Sequence, residues 1–247
     1  MRQQTAEKLR IGTSGWYYRH WIGRFYPAEL KQAEWLEFYA RHFSTVEINA
    51  TFYRMPFENM IRGWARKAPP GFLYAVKGNR RITHLKKLAG VDEDIKDYFR
   101  RVELLGEHLG PILWQLPPSL HEDRQRLEAF LKKLPRGFQH AVEFRHPSWL
   151  QAAVFEVLSR YEVACVAISS SRMPMDFTET ADFVYYRFHG LKGGYAHDYS
   201  REELKPWAEH ARDALNRGKT VFAFFNNDAE ARAPQNAREL MRMIVQH

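Results

Sequence analysis

Acids, cations and amides recur in this chain at alternate positions of otherwise apolar runs. In Val46-Glu47-Ile48-Asn49-Ala50-Thr51, Glu47, Asn49 and Thr51 alternate with Val46 and Ile48. In Ala141-Val142-Glu143-Phe144-Arg145-His146, Glu143 and Arg145 alternate with Val142 and Phe144. Tyr185, Arg187 and His189 share a parity, Lys77 follows Val76, Gln115 lies between Trp114 and Leu116, and Asn226 and Asn227 end the last apolar run. A strand turns successive side chains to opposite faces, so one face of each run is apolar and the other polar. The chemistry suggested is proton transfer on a bound anion. Glu47 and Glu143 suit a general base, with His189 or Lys77 as acid partner. Arg145 and Arg187 suit two-pronged binding of a phosphate or carboxylate, and Asn49, Gln115 and Asn226 suit its orientation. Trp16, Tyr53, His146, Gly190, Tyr195 and Asn227 flank the runs and complete the binding candidates. An ion network that neutralises itself is the competing use of these residues. For any one residue the two uses weigh equally; their recurrence on several strands favours a site, because buried charges must pair with each other or with a ligand.

Such residues need a scaffold that brings strand ends together. Strand-like runs begin near Leu9, Ser44, Phe72, Pro111, Gln139, Val163, Asp182 and Thr220. Helical patterns fall between most of them: Pro27 to His42, Pro56 to Lys67, Asp92 to His108, Glu122 to Leu134 and Pro147 to Arg160. A further helix opens on the capping box Ser200-Arg201-Glu202-Glu203 and runs to Asn216, and the last begins near Pro234 or Gln235. Alternating strands and helices in this number predict the α/β class and a single (β/α)8 TIM-type barrel, working at the C-terminal ends of its strands. The sixth unit is irregular, with no helical pattern between Ser169 and Ala181. Residues 1–8 read as an N-terminal tail and 9–247 as one domain. A doubly wound sheet would call for a glycine-rich dinucleotide turn, and none of good quality follows a strand. The loop Gly190-Leu191-Lys192-Gly193-Gly194-Tyr195 lies where barrels often hold phosphate, and its glycines let backbone N–H groups approach oxygen atoms.

The chain has 247 residues and a formal net charge of +8, which favours a small anionic ligand and leaves nucleic acid as an alternative partner. Its single cysteine, Cys165, sits in an apolar run and forbids an internal disulfide framework. No segment is long and apolar enough to span a bilayer, and the N-terminus carries no secretory pattern, so the expectation is a cytoplasmic protein without a membrane partner. A divalent metal is the weaker expectation: Glu47, Glu143, His189 and Asp228 are of suitable type, but no His-x-x-x-His, paired-cysteine or aspartate-rich signature accompanies them. No nucleophile elbow is present either.

Several of these words occur together in a known family. Gly12-Thr13-Ser14-Gly15-Trp16, Phe25-Tyr26-Pro27, the run Val46 to Tyr53, Ala75-Val76-Lys77, Arg81-Ile82-Thr83-His84 and Gln115-Leu116-Pro117-Pro118 come in order. So do Glu143-Phe144-Arg145-His146-Pro147-Ser148-Trp149, Arg187-Phe188-His189-Gly190 and Phe225-Asn226-Asn227-Asp228-Ala229. The chain resembles the YecE-like family, catalogued as a domain of unknown function (72). The resemblance implies a β/α barrel and supplies no reaction. It departs at Ser169, where such proteins often show an aspartate. Likeness at the level of the barrel adds metal-assisted cleavage of nucleic-acid phosphodiesters as an alternative to acid–base chemistry on a small anion, and a ligand-binding or interaction barrel without catalysis stands as a third reading.

Overall fold

A computed structural model describes residues 7–246 of the chain. Residues 1–6 of the expected tail and residue 247 lie outside it. The strands are β1 (Leu9–Thr13), β2 (Thr45–Ile48), β3 (Leu73–Lys77), β4 (Leu109–Gln115), β5 (His140–Glu143), β6 (Ala164–Ser169), β7 (Phe183–Phe188) and β8 (Thr220–Phe225). They form one sheet in the order β1-β8-β7-β6-β5-β4-β3-β2, with parallel pairing. Between them lie α1 (Trp35–Ala40), α2 (Ala50–Tyr53), α3 (Glu58–Lys67), α4 (Asp92–Val102), α5 (Arg124–Leu131), α6 (Ala152–Arg160), α7 (Arg201–Asn216) and α8 (Arg232–Val245). This is the (β/α)8 topology of a TIM-type barrel.

The chain packs as two compact units. Unit 1 takes the described residues up to Glu47, Ala167–Phe177 and those from Asp182 on; unit 2 takes Ile48–Val166 and Thr178–Ala181. In unit 1, β1, β8 and β7 run in register, with Gly12 and Arg187 both level with Phe224. Tyr186 and Phe188 turn to α7, where their rings meet Trp207 at 5.3 and 4.8 Å. Strand alternation therefore sends Tyr185 and Arg187 to the opposite face. At Gly12 a Cβ would lie 2.2 Å from the Thr45 carbonyl oxygen, so only glycine permits this approach. In unit 2, Trp114 packs against Tyr98 of α4 and Phe130 of α5. Gln115, level with Glu143 on β5, occupies the face away from those helices, as does Lys77, level with Leu113.

Two expectations change in detail. The helix expected from Pro27 to His42 reduces to a 3-10 turn, Gln32–Glu34, and α1. Tyr26 stacks on Trp35 at 4.7 Å and donates its hydroxyl to the Trp16 carbonyl at 2.5 Å, which fixes an aromatic hinge ahead of the helix. The second strand stops at Ile48: Asn49 is already helical (φ −91, ψ −15) and Thr51 lies in α2. Thr51 Oγ1 donates to the Ile48 carbonyl at 3.2 Å, a local bond that competes with continued strand pairing, and to the Lys77 carbonyl at 2.5 Å. The irregular sixth unit is observed, with no helix between β6 and β7 among the described residues. There Thr180 Oγ1 donates to the Val163 carbonyl (2.5 Å) and accepts from Cys165 N–H (2.8 Å), so a loop hydroxyl satisfies the start of β6. The capping box is formed as read, with Glu203 N–H donating to Ser200 Oγ at 3.2 Å and Ser200 N–H to Glu203 Oε2 at 2.9 Å.

Candidate functional site

In unit 1 the polar face centres on Glu47, which is fully buried. Arg187 Nη2 donates to its Oε1 at 2.6 Å and Arg187 Nε to its Oε2 at 2.9 Å. Ser14 Oγ adds a bond to Oε1 at 2.8 Å and Tyr185 OH one to Oε2 at 2.7 Å. Each carboxylate oxygen thus receives two donors. Arg187 is 1% exposed. Its third nitrogen, Nη1, lies 3.4 Å from His189 Nε2, and because a guanidinium only donates, that nitrogen is the acceptor. The Asn226 amide lies 3.2 Å from His189 Nδ1. Glu47, Arg187, His189 and Asn226 are therefore gathered into one network with Tyr185, which shares the parity of Arg187 and His189, and with Ser14, which follows β1 and lies in no alternating run.

In unit 2 the buried carboxylate is Glu143, and Arg145 Nε donates to its Oε1. The Arg145 side chain itself is 22% exposed. Lys77 is 9% exposed, and its ammonium lies 4.2 Å from the centre of the Phe52 ring. The same ring receives His84 edge-on at 4.8 Å. His84 stands in a π-helical turn, Arg81–Leu85, directly after β3, a geometry often found at functional sites. Asn79 ties this turn to α2: its Nδ2 donates to the Thr51 carbonyl and its Oδ1 accepts from Arg81 N–H, both at 2.9 Å. Burial pushes the His84 imidazole down to about 4, and the cations Lys77, Arg145 and Arg80 push the same way against the opposing Glu143. Arg81 and Lys86 both reach Asp94 at 2.6 Å, whereas Arg80, which is exposed, forms no ion pair among the described residues. His84 and Asn79 were legible only as loop residues; no alternation marks them.

The remaining candidates fall as follows. Gln115 is half-buried beside Glu143 in the strand register. Asn49 is half-buried at the start of α2, where its Oδ1 accepts no hydrogen bond among the described residues. Tyr53 ends α2 and is 65% exposed. His146 follows β5; its Nδ1 accepts from Ser148 Oγ at 2.8 Å and Ser148 N–H at 3.2 Å, and its ring stacks on His121 at 3.8 Å. In unit 1, Trp16 is half-buried and Tyr195 exposed. The buried Gly190 donates its N–H to Tyr199 OH at 2.9 Å, so this donor is held inside the loop and not offered outward. Asn227 is buried, and its Nδ2 donates to the His197 carbonyl and Asn236 Oδ1, both at 2.7 Å. Burial pushes the Asp228 carboxyl up, and the nearby His20 opposes it. Among the described residues no three His, Cys, Asp or Glu side chains are grouped to hold a metal ion.

Parallel strands bearing charged side chains on the face turned from the helices, near their C-terminal ends, define a (β/α)8 TIM-type barrel. The chain belongs to the family described as "Protein of unknown function DUF72", matched over residues 10–247. It is 26% identical over 270 residues to UPF0759 protein YunF of Bacillus subtilis (strain 168), covering 96% of this chain and 94% of that protein. It is 29% identical over 142 residues to UPF0759 protein YecE of Escherichia coli (strain K12), a match spanning 57% of this chain and 50% of YecE. Among solved structures, a DUF72 family protein of Thermotoga maritima MSB8 (TM1631) superposes with a TM-score of 0.87 at 32% identity, over 96% of this chain and 98% of that one. No helix among the described residues is long and apolar enough to cross a membrane.

Proposed function

We propose that the chain is an enzyme for a small anionic substrate, bound in unit 2 beside Lys77, Arg80 and Arg145 and transformed by acid–base chemistry. The observation that carries this reading is the charge set around His84: three cations and one carboxylate act on one half-buried imidazole next to a single aromatic ring. That set favours a phosphate or carboxylate. Glu143, anchored by Arg145, is the proton-transfer carboxylate. Glu47 is less suited to that task, because both of its oxygens already hold two donors. His84, neutral near pH 7, accepts or relays a proton in the same cluster. In this reading the Glu47–Arg187 network supports the scaffold, with His189 and Asn226 attached to it.

The test is calorimetric titration of inorganic phosphate, sulfate and acetate at low ionic strength, where surface electrostatics are least screened. Native protein is compared with Arg80→Ala, an exposed position, and Lys77→Met. Binding that weakens on the order of tenfold in either variant is expected, since one charge at about 5 Å contributes a few kcal/mol at an effective dielectric near 20. Equal affinities in all three proteins would sink the anion site.

A further inference from the structure

The surface around this cluster is not only cationic. Thr51 and Asn79 hold α2 against the end of β3, and that hold places Phe52 under the Lys77 ammonium and directs Tyr53 outward. Tyr53 meets Phe52 edge-on at 5.2 Å and remains 65% exposed. Four residues on, Phe57 is 58% exposed, with the Arg54 guanidinium 5.4 Å from its ring centre. Leu85, next to His84, is 69% exposed. Among the described residues, two of the eight large apolar side chains that stay exposed therefore belong to the turns that carry Phe52 and His84, and a third, Phe57, caps α3 four residues beyond Tyr53. An inorganic anion would leave all three in water.

We infer that the anion taken by this site carries a flat apolar group, an aryl ring or its like, seated against Tyr53 and Phe57 while its phosphate or carboxylate meets Lys77, Arg80 and Arg145. This rests on the anion reading above and names the substrate class for it. Charge and shape agree: cations alternate with ring faces over a short stretch, and an aromatic ring prefers to lie edge-on or offset against another. The apolar part is too small for a protein partner. Three partly exposed side chains fall well below the roughly 800 Å² per partner that a stable protein interface buries, and suit one ring.

The experiment compares phenyl phosphate with inorganic phosphate, and benzoate with acetate, by calorimetry on the native chain, Tyr53→Ala and Phe57→Ala. Both positions are exposed, so the variants keep the fold; circular dichroism checks it. In the native chain the aryl compound of at least one pair is expected to bind about tenfold more tightly than its small counterpart. In Tyr53→Ala that preference falls toward unity while the affinity for the small anion holds. Equal affinities within both pairs, or a preference unmoved by both substitutions, overturns the inference and leaves the anion site standing. Failure of all four compounds to bind removes the anion reading and this inference with it.

Discussion

Two buried glutamates, one in each unit, are treated in opposite ways. Glu47 in unit 1 is locked: an arginine fork, a tyrosine and a serine fill both of its oxygens, and its arginine is as inaccessible as the acid itself. Glu143 in unit 2 is equally buried, but its arginine reaches toward solvent, and the cations beside it act on a neighbouring imidazole. A carboxylate with four fixed donors is pre-arranged and hard to protonate or move. One whose arginine partner is partly exposed can respond to what binds that arginine. On the function proposed above, the contrast separates a charge pair that serves the scaffold from one that serves a ligand, although both sit on alternating strands of the same pattern.

The largest expected effect breaks the comparison on the unit 1 side. Arg187→Ala leaves Glu47 buried without its fork, and removing one partner of a buried pair costs about 3–5 kcal/mol. Urea denaturation should show that loss, whereas Glu47→Leu combined with Arg187→Met should recover much of it. Were Arg187→Ala as stable as the native chain, Glu47 would have to be regarded as no more fixed than Glu143. Lys77→Met is the matching change in unit 2. Its stem can still pack on Phe52, so stability should stay within about 1 kcal/mol of native while anion affinity falls. A stability loss as large as that of Arg187→Ala would place Lys77 in the scaffold instead.

A smaller effect sharpens the comparison through pH. The His84 imidazole lies near 4, below its ordinary value, through burial and then through Lys77, Arg145 and Arg80. A group lowered on folding binds more protons in the unfolded chain. The stability linked to it is complete above the ordinary histidine value and declines as pH falls through the folded value of about 4. A bound anion offsets the three cations and raises that folded value, so binding takes up a proton. Affinity for sulfate, which does not itself titrate here, should therefore rise severalfold between pH 7 and pH 5, and His84→Gln should flatten the dependence. An equally steep rise in His84→Gln would assign the proton elsewhere.

Strand starts, the α7 capping box and the irregular sixth unit were readable because each depends on local pattern: alternation, a serine and glutamate at fixed spacing, or the lack of a helical period. The split between the two glutamates was not readable. Glu47 and Glu143 both stand between apolar residues in alternation; Arg145 is two residues from Glu143, but the donors that fix Glu47 come from residues far off in the chain. Ser14 reaches Glu47 from the position after β1, and Tyr185 reaches it from β7. The alternation of Ile48-Asn49-Ala50-Thr51 predicts a strand through Asn49. The Thr51 bond to the Lys77 carbonyl, which turns that segment into α2, links positions 26 residues apart. His84 lay within a family word but in no periodic run, and its π-helical turn leaves no mark on sequence spacing.

The smallest expected effect concerns a second imidazole in unit 2. His146 Nδ1 accepts from both the hydroxyl and the backbone N–H of Ser148, and Ser148 Oγ in turn accepts from Glu122 N–H at 2.9 Å. With its N–H partner already present, the Ser148 hydroxyl proton points to the imidazole, so the neutral ring carries its own proton on Nε2. Ser148→Ala removes the stronger donor, and the ring is then held only by the backbone bond and by stacking on His121. Stability should fall by about 1 kcal/mol, the net contribution of one hydrogen bond. Nitrogen chemical shifts should report a single Nε2–H form of His146 in the native chain, a mixture of both tautomers in Ser148→Ala and recovery of the single form in Ser148→Thr. Because the backbone donor remains, a native-like shift in Ser148→Ala would show that the backbone alone sets the tautomer. The unit 2 face would then owe its imidazole geometry to the fold around β5 and not to a side chain placed for the purpose.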